Sequence, residues 1–94
     1  MTTIPAAYVV EYHGHVQGVG FRYTVQRLAQ RHAVTGHVKN MADGTVRVYL
    51  EGTQAEMDVL LREIRGGPHA QYITDVQVTP TVPSGTYRDF RIAF

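Results

Sequence analysis

The chain has no cysteine and no tryptophan, only four prolines, and almost no net charge: nine Lys and Arg against eight Asp and Glu leave +1 with the histidines neutral. Without cysteine there is no disulfide, no thiolate–metal site and no sulfur nucleophile, a composition that fits the cytoplasm. A near-neutral balance removes the broad electrostatic footprint of a duplex-binding protein and leaves room only for a small local patch. No apolar run approaches membrane-spanning length. The start, Met1-Thr2-Thr3-Ile4-Pro5, lacks a basic segment followed by an apolar one, so no secretory signal is expected. What is present is 94 residues with an ordinary apolar fraction of 44%. That suffices for one small domain over residues 1–94 with a single core.

Three glycines and an arginine dominate the pattern: Gly14-His15-Val16-Gln17-Gly18-Val19-Gly20-Phe21-Arg22. They lie between a strand-like run, Tyr8 to His13, and a helix-like run, Phe21 to His32. Glycine reaches φ > 0, so a sharply bent segment can turn several backbone N–H groups into one concavity. A helix starting behind it adds unsatisfied N–H groups and the positive end of its dipole. Arg22 adds a permanent charge and a planar fork of donors. The sum is a cradle for a small tetrahedral oxyanion such as phosphate; the plainer alternative is that the glycines only shape a tight connection.

Residues 1 to 6 read as a tail. Val10 and Tyr12 fall on one face of the first strand, Glu11 and His13 on the other. Phe21, Val25, Leu28, Ala29 and His32 repeat at helical spacing over about three turns. Val34 to Asn40 is a second strand, and Asp43-Gly44 a hairpin turn into Thr45 to Glu51. Thr53 with Glu56 opens a second helix as a capping box, with Met57, Leu60, Leu61 and Ile64 as its apolar stripe. Gly66-Gly67-Pro68 stops it. Tyr72 to Thr79 is a fourth strand, Pro80 to Gly85 a turn-rich connection, and Tyr87 to Phe94 a last strand. The order β-α-β-β-α-β with a final strand predicts an α+β sandwich of the ferredoxin-like, split β-α-β type. Its sheet is expected to be antiparallel, with the first and third strands central and both helices on one face.

Asn40 ends its strand just before the hairpin. Its uncharged amide both donates and accepts, so beside an anion cradle it can aim a water. An asparagine before a turn can equally bond its own backbone. His13 and His15 share a face, but no third ligand follows at a recognisable spacing, and no metal or cofactor is expected. Glu56, Asp58 and Glu63 with Arg62 and Arg65 read as a solvated helix face. Tyr8, Tyr12, Tyr49 and Tyr72 read as packing between sheet and helices. The same sheet serves RNA-recognition modules, which keeps an RNA- or protein-binding role as a rival. Tyr23, next to Arg22, is placed at the mouth of the site.

Val16-Gln17-Gly18-Val19-Gly20-Phe21-Arg22, with Gly36-x-Val38-x-Asn40-x-x-Asp43-Gly44-x-Val46, resembles the paired signature of the acylphosphatases, and the likeness runs over essentially the whole chain. It implies metal-independent hydrolysis of the carboxyl–phosphate anhydride to a carboxylate and inorganic phosphate by direct attack of water. It assigns phosphoryl binding to Arg22 and the backbone of Val16, Gln17, Gly18, Val19, Gly20 and Phe21, and water orientation to Asn40. The implied partners are a small-molecule acyl phosphate and inorganic phosphate as product and inhibitor, with no nucleic acid or membrane, for a monomer. Val16 stands where arginine-ended phosphatase loops often begin with a thiolate, so no phosphoenzyme is expected. His37 and Arg47 depart from the family pattern, which usually has an apolar or aromatic residue and an acidic one there. A related rival is a module acting on carbamoyl phosphate within a maturation enzyme.

Overall fold

The computed structural model describes residues 5–94. Alternation of β-branched and aromatic residues draws out β1 (Ala6–Gly14), β2 (Val34–Asn40) and β3 (Val46–Gly52). The helical period gives α1 (Phe21–Ala29) and α2 (Gln54–Arg65), and the chain ends with β4 (Ile73–Thr81) and β5 (Phe90–Ala93). Of the expected tail, Met1 to Ile4 lie outside the described residues, and Ala6 already belongs to β1.

The strands lie in the order β4-β1-β3-β2-β5, so β1 and β3 are central as expected. β1 pairs antiparallel with β3 and β4, and β2 antiparallel with β3. The last strand departs from the expectation: β5 runs parallel to β2, with Gly36 opposite Phe90, which makes the sheet mixed. It is also shorter than expected, because Tyr87 leaves the strand direction to pack against His37 and Tyr49. β4 is longer. Pro80 joins it opposite Tyr8, which an edge strand tolerates because its outer side needs no N–H donor.

One core holds the layers together. Tyr8, Val10 and Tyr12 of β1, Val46, Val48 and Leu50 of β3 and Val34 and Val38 of β2 meet Phe21, Val25 and Ala29 of α1 and Met57, Leu60 and Ile64 of α2. Both helices therefore cover the same face. Each fully buried side chain of the α2 stripe contributes about 1.5–3 kcal/mol of transfer free energy. Thr53 caps α2 by accepting from the Glu56 amide at 3.2 Å, one half of the expected capping box, while the Glu56 carboxylate turns to His32 and the Ala33 amide; the helix ends at Arg65 before the two glycines.

α1 stops earlier than its periodicity suggests. Arg31 and His32 close tightened turns onto the carbonyls of Leu28 and Ala29. His32 then reaches α2, with Nδ1 3.2 Å from Glu56 and Nε2 2.7 Å from Glu63. Asp58 accepts from the Tyr8 hydroxyl at 3.0 Å. The acidic face of α2 is thus a set of tertiary contacts rather than a merely solvated surface.

The open face of the sheet is partly covered as well. Tyr49 stacks on His37, and the carboxylate of Glu51 accepts from the amides of Ser84 and Gly85, pinning the β4–β5 connection over β3. Tyr8 and Tyr12 pack between sheet and helices as expected, whereas Tyr49 lies on the opposite face and Tyr72 is exposed at the surface.

Candidate active site

The segment between β1 and α1 is anchored at both ends by apolar side chains. Val16 and Phe21 are buried, Phe21 with its edge against Tyr12 at 5.1 Å between ring centres. With those side chains drawn inward, the backbone between them faces out. Gly18 and Gly20 hold φ at 77° and 79°, left-handed values that other residues rarely adopt. Among the described residues, no protein acceptor is found for the amides of Val16 through Phe21. Gly20 is also the N-cap of α1; no side chain caps this helix, and no acidic residue stands in its first turn. The contrast with the capped start of α2 is plain. α1 presents its free N–H groups and the positive end of its dipole to whatever lies in front of it.

What lies in front is a cleft of about 210 Å³, lined by Val16, Gly18, Gly20, Phe21, Arg22, Tyr23 and Asn40, with no acidic side chain among them. Residues from the loop, the helix start and the end of β2 therefore meet as the sequence suggested. Arg22 is half-buried. Its Nη1 donates to the Ala93 carbonyl at 3.5 Å, and its guanidinium carbon stands 5.0 Å from the centre of the Phe94 ring. Most of its fork is left uncommitted. Asn40 does not spend its carbonyl on the local backbone: Oδ1 is buried and has no hydrogen-bond partner in the protein. Tyr23 is 60% exposed at the rim.

Gln17 and Val19 belong to the expected binding loop but do not line the cleft. The Gln17 amide donates to the carbonyls of Met41 at 2.8 Å and Thr45 at 2.9 Å, bracing the loop against the β2–β3 hairpin. The Val19 carbonyl accepts from His69 Nε2 at 2.7 Å. Neither Gln17's bracing role nor His69 was legible in the sequence, because both act across 24 or more residues on backbone atoms. His37 and Arg47 are likewise absent from the cleft. His37 accepts from or donates to Tyr87, and Arg47 faces Glu11 across the strands at 3.9 Å. Burial, with Lys39 and Arg47 nearby, pulls the His37 pKa below its usual value.

The acylphosphatase family profile matches residues 8–92. The chain belongs to the acylphosphatase family. The acylphosphatase of Thermotoga maritima is 42% identical over 85 residues, covering 90% of this chain and 93% of that protein. The crystal structure of acylphosphatase from Bacillus subtilis superposes with a TM-score of 0.86 at 32% identity, covering 95% of this chain and 99% of that one. A crystal structure of full-length HypF in the phosphate- and nucleotide-bound form contains a similar unit. There the TM-score is 0.90 at 30% identity, over all of this chain and 12% of that one.

Family membership makes the chain a hydrolase of acyl phosphates, with a small-molecule acyl phosphate as its substrate class. The expected α+β, ferredoxin-like architecture is that of the acylphosphatase structures. Of the tyrosines that could serve as a stacking platform for RNA, Tyr8 and Tyr12 are buried under the helices, and Tyr49 packs against Tyr87. No helix among the described residues is long and apolar enough to cross a membrane.

Proposed function

We propose that residues 1–94 form a single-domain, monomeric, cytoplasmic acylphosphatase that works without metal and by direct attack of water. The observation that carries this reading is the Asn40 Oδ1 atom, buried and unpartnered at the edge of a cleft that also holds Arg22 and the free amides of the loop.

The phosphoryl group sits in the loop, its non-bridging oxygens receiving N–H groups from Val16 to Phe21 and the guanidinium of Arg22. Phosphoryl transfer needs positioning and neutralisation of charge on those oxygens more than it needs covalent chemistry. Preformed donors provide both without reorganising during the reaction. Asn40 Oδ1 accepts a hydrogen bond from the attacking water and holds an oxygen lone pair toward phosphorus. The P–O bond to the acyl group breaks, and the carboxylate leaves unprotonated because it is a good leaving group. The proton lost by water passes to a phosphate oxygen of the substrate. Inorganic phosphate, the product, occupies the same donors and inhibits. Carbamoyl phosphate is a carboxyl–phosphate anhydride too, which makes it the second substrate to assay.

The test is hydrolysis of acetyl, benzoyl and carbamoyl phosphate with a chelator present. Arg22→Ala removes a charge-assisted contact, so both phosphate inhibition and turnover fall. Asn40→Ala spares phosphate inhibition while kcat falls about 100-fold or more, the scale of a misplaced reactant. Wild-type rates in both variants sink the site assignment, and loss of activity on chelation sinks metal independence.

A further inference from the structure

His69 lies beyond the end of α2, outside both signature stretches, and its ring has one polar contact: Nε2 stands 2.7 Å from the Val19 carbonyl oxygen. Nδ1 is buried with no partner. A carbonyl can only accept, so the proton must sit on Nε2. The ring is held in place from two sides, edge-on to Phe21 at 5.5 Å between centres and tilted against Tyr72 at 6.2 Å.

The Val19 carbonyl shares a rigid plane with the Gly20 N–H. In a trans peptide the two point in opposite directions, so fixing one fixes the other. Gly20 lines the cleft and has φ 79°, and glycine crosses between positive and negative φ at little steric cost. A Val19–Gly20 peptide without an external tie is therefore free to rotate, taking the Gly20 N–H away from the cleft. His69 supplies that tie.

The segment carrying His69 is itself bolted to the loop's other end. The Tyr72 amide donates to the His69 carbonyl at 2.9 Å, and the Tyr72 carbonyl accepts from the His15 amide at 2.9 Å. The approach is so close at Gly14 that a Cβ there would clash with the Tyr72 carbonyl oxygen. The stretch from His69 to Tyr72 thus clasps the loop at its entrance and near its exit.

We propose that His69 is a positioning residue that orients the Gly20 N–H as a phosphate donor by holding the Val19 carbonyl. The proposal rests on the reading of the loop as a phosphoryl cradle. His69→Phe keeps a packed ring and deletes the donor; His69→Gln keeps a donor and deletes the ring. In His69→Phe, inorganic phosphate binds about tenfold more weakly, the scale of one hydrogen bond to a charged group, and KM for benzoyl phosphate rises in parallel. His69→Gln recovers most of that loss. Asn40→Ala behaves differently, losing kcat with phosphate affinity intact.

Amide NMR during a phosphate titration separates the two ideas. Wild-type shifts at Gly18 and Gly20, with the Gly20 response lost in His69→Phe, support the proposal. A wild-type response that His69→Phe reproduces at the same affinity overturns the role of His69 and leaves the cradle standing. No wild-type response at either glycine overturns the cradle and the proposal with it. Should the phenylalanine variant not fold, the wild-type ring tautomer decides by nitrogen shifts: Nε2–H supports the tie, and Nδ1–H overturns it.

Discussion

Gln17 Nε2 stands 2.9 Å from the carbonyl oxygen of Thr45, so one side chain joins the loop before Arg22 to the hairpin after Asn40. The two functional candidates come from elements far apart in sequence, and this bond helps fix their separation.

Replacing Gln17 with Leu should therefore affect rate more than stability. Both carbonyls it serves keep another donor, Met41 O from the Gly44 amide and Thr45 O from the Met41 amide. The stability loss is expected to be about 1 kcal/mol. The loss in kcat/KM should be about tenfold or more, since modest misplacement of reacting groups is costly. Chemical denaturation beside steady-state kinetics checks the split; a large stability loss with normal kinetics would reverse it.

His32 makes stability depend on pH. The hydrogen bond to Glu63 raises its pKa above the ordinary 6.5, burial opposes this, and Glu56 adds to the rise. Both ring nitrogens can donate to the two carboxylates only when the imidazole is charged. A folded-state pKa above the unfolded one gives stability that is complete below the unfolded value and lost as pH rises through the folded value. The denaturation midpoint of wild type should thus exceed that of His32→Gln most clearly near about pH 5.5 and least near about pH 8.5, on either side of the histidine range. A gap that widens with rising pH contradicts the assignment.

Tyr12 offers the opposite lesson. Its ring is 1% exposed, its hydroxyl finds no partner in the protein, and burial pushes its pKa well above 10.0. Tyr12→Phe keeps the contact with Phe21 and removes an unsatisfied polar atom. Stability should rise by about 1 kcal/mol, read from urea titration. A decrease would show that solvent in the groove beside Leu61 and Val76 serves the hydroxyl.

Much of this was readable locally. The alternation of β1 and β3, the stripe of α2, its Thr53–Glu56 cap and the glycine-bent loop depend on residues within one turn or one strand. Their signals survive without tertiary context. The errors come where distant partners decide. His32 looked like the last helical apolar position, but Glu56 and Glu63 are 24 and 31 residues away. Pro80 read as a breaker until β4 proved to be an edge. Tyr87 read as strand because nothing nearby announces His37, its hydrogen-bond partner 50 residues upstream. The site divides the same way. Arg22, Asn40 and the loop follow from a motif, whereas His69 acts on a main-chain oxygen that no side-chain pattern records.

An uncapped α1 has a thermal consequence. Amides that fold without an acceptor contribute less to the native state than paired ones, and an anion that pairs them stabilises only the folded form. Buffer choice should accordingly shift the melting point: at about a hundred times its dissociation constant, orthophosphate adds about 2.7 kcal/mol by mass action. Tris or HEPES at matched ionic strength should leave the protein measurably softer.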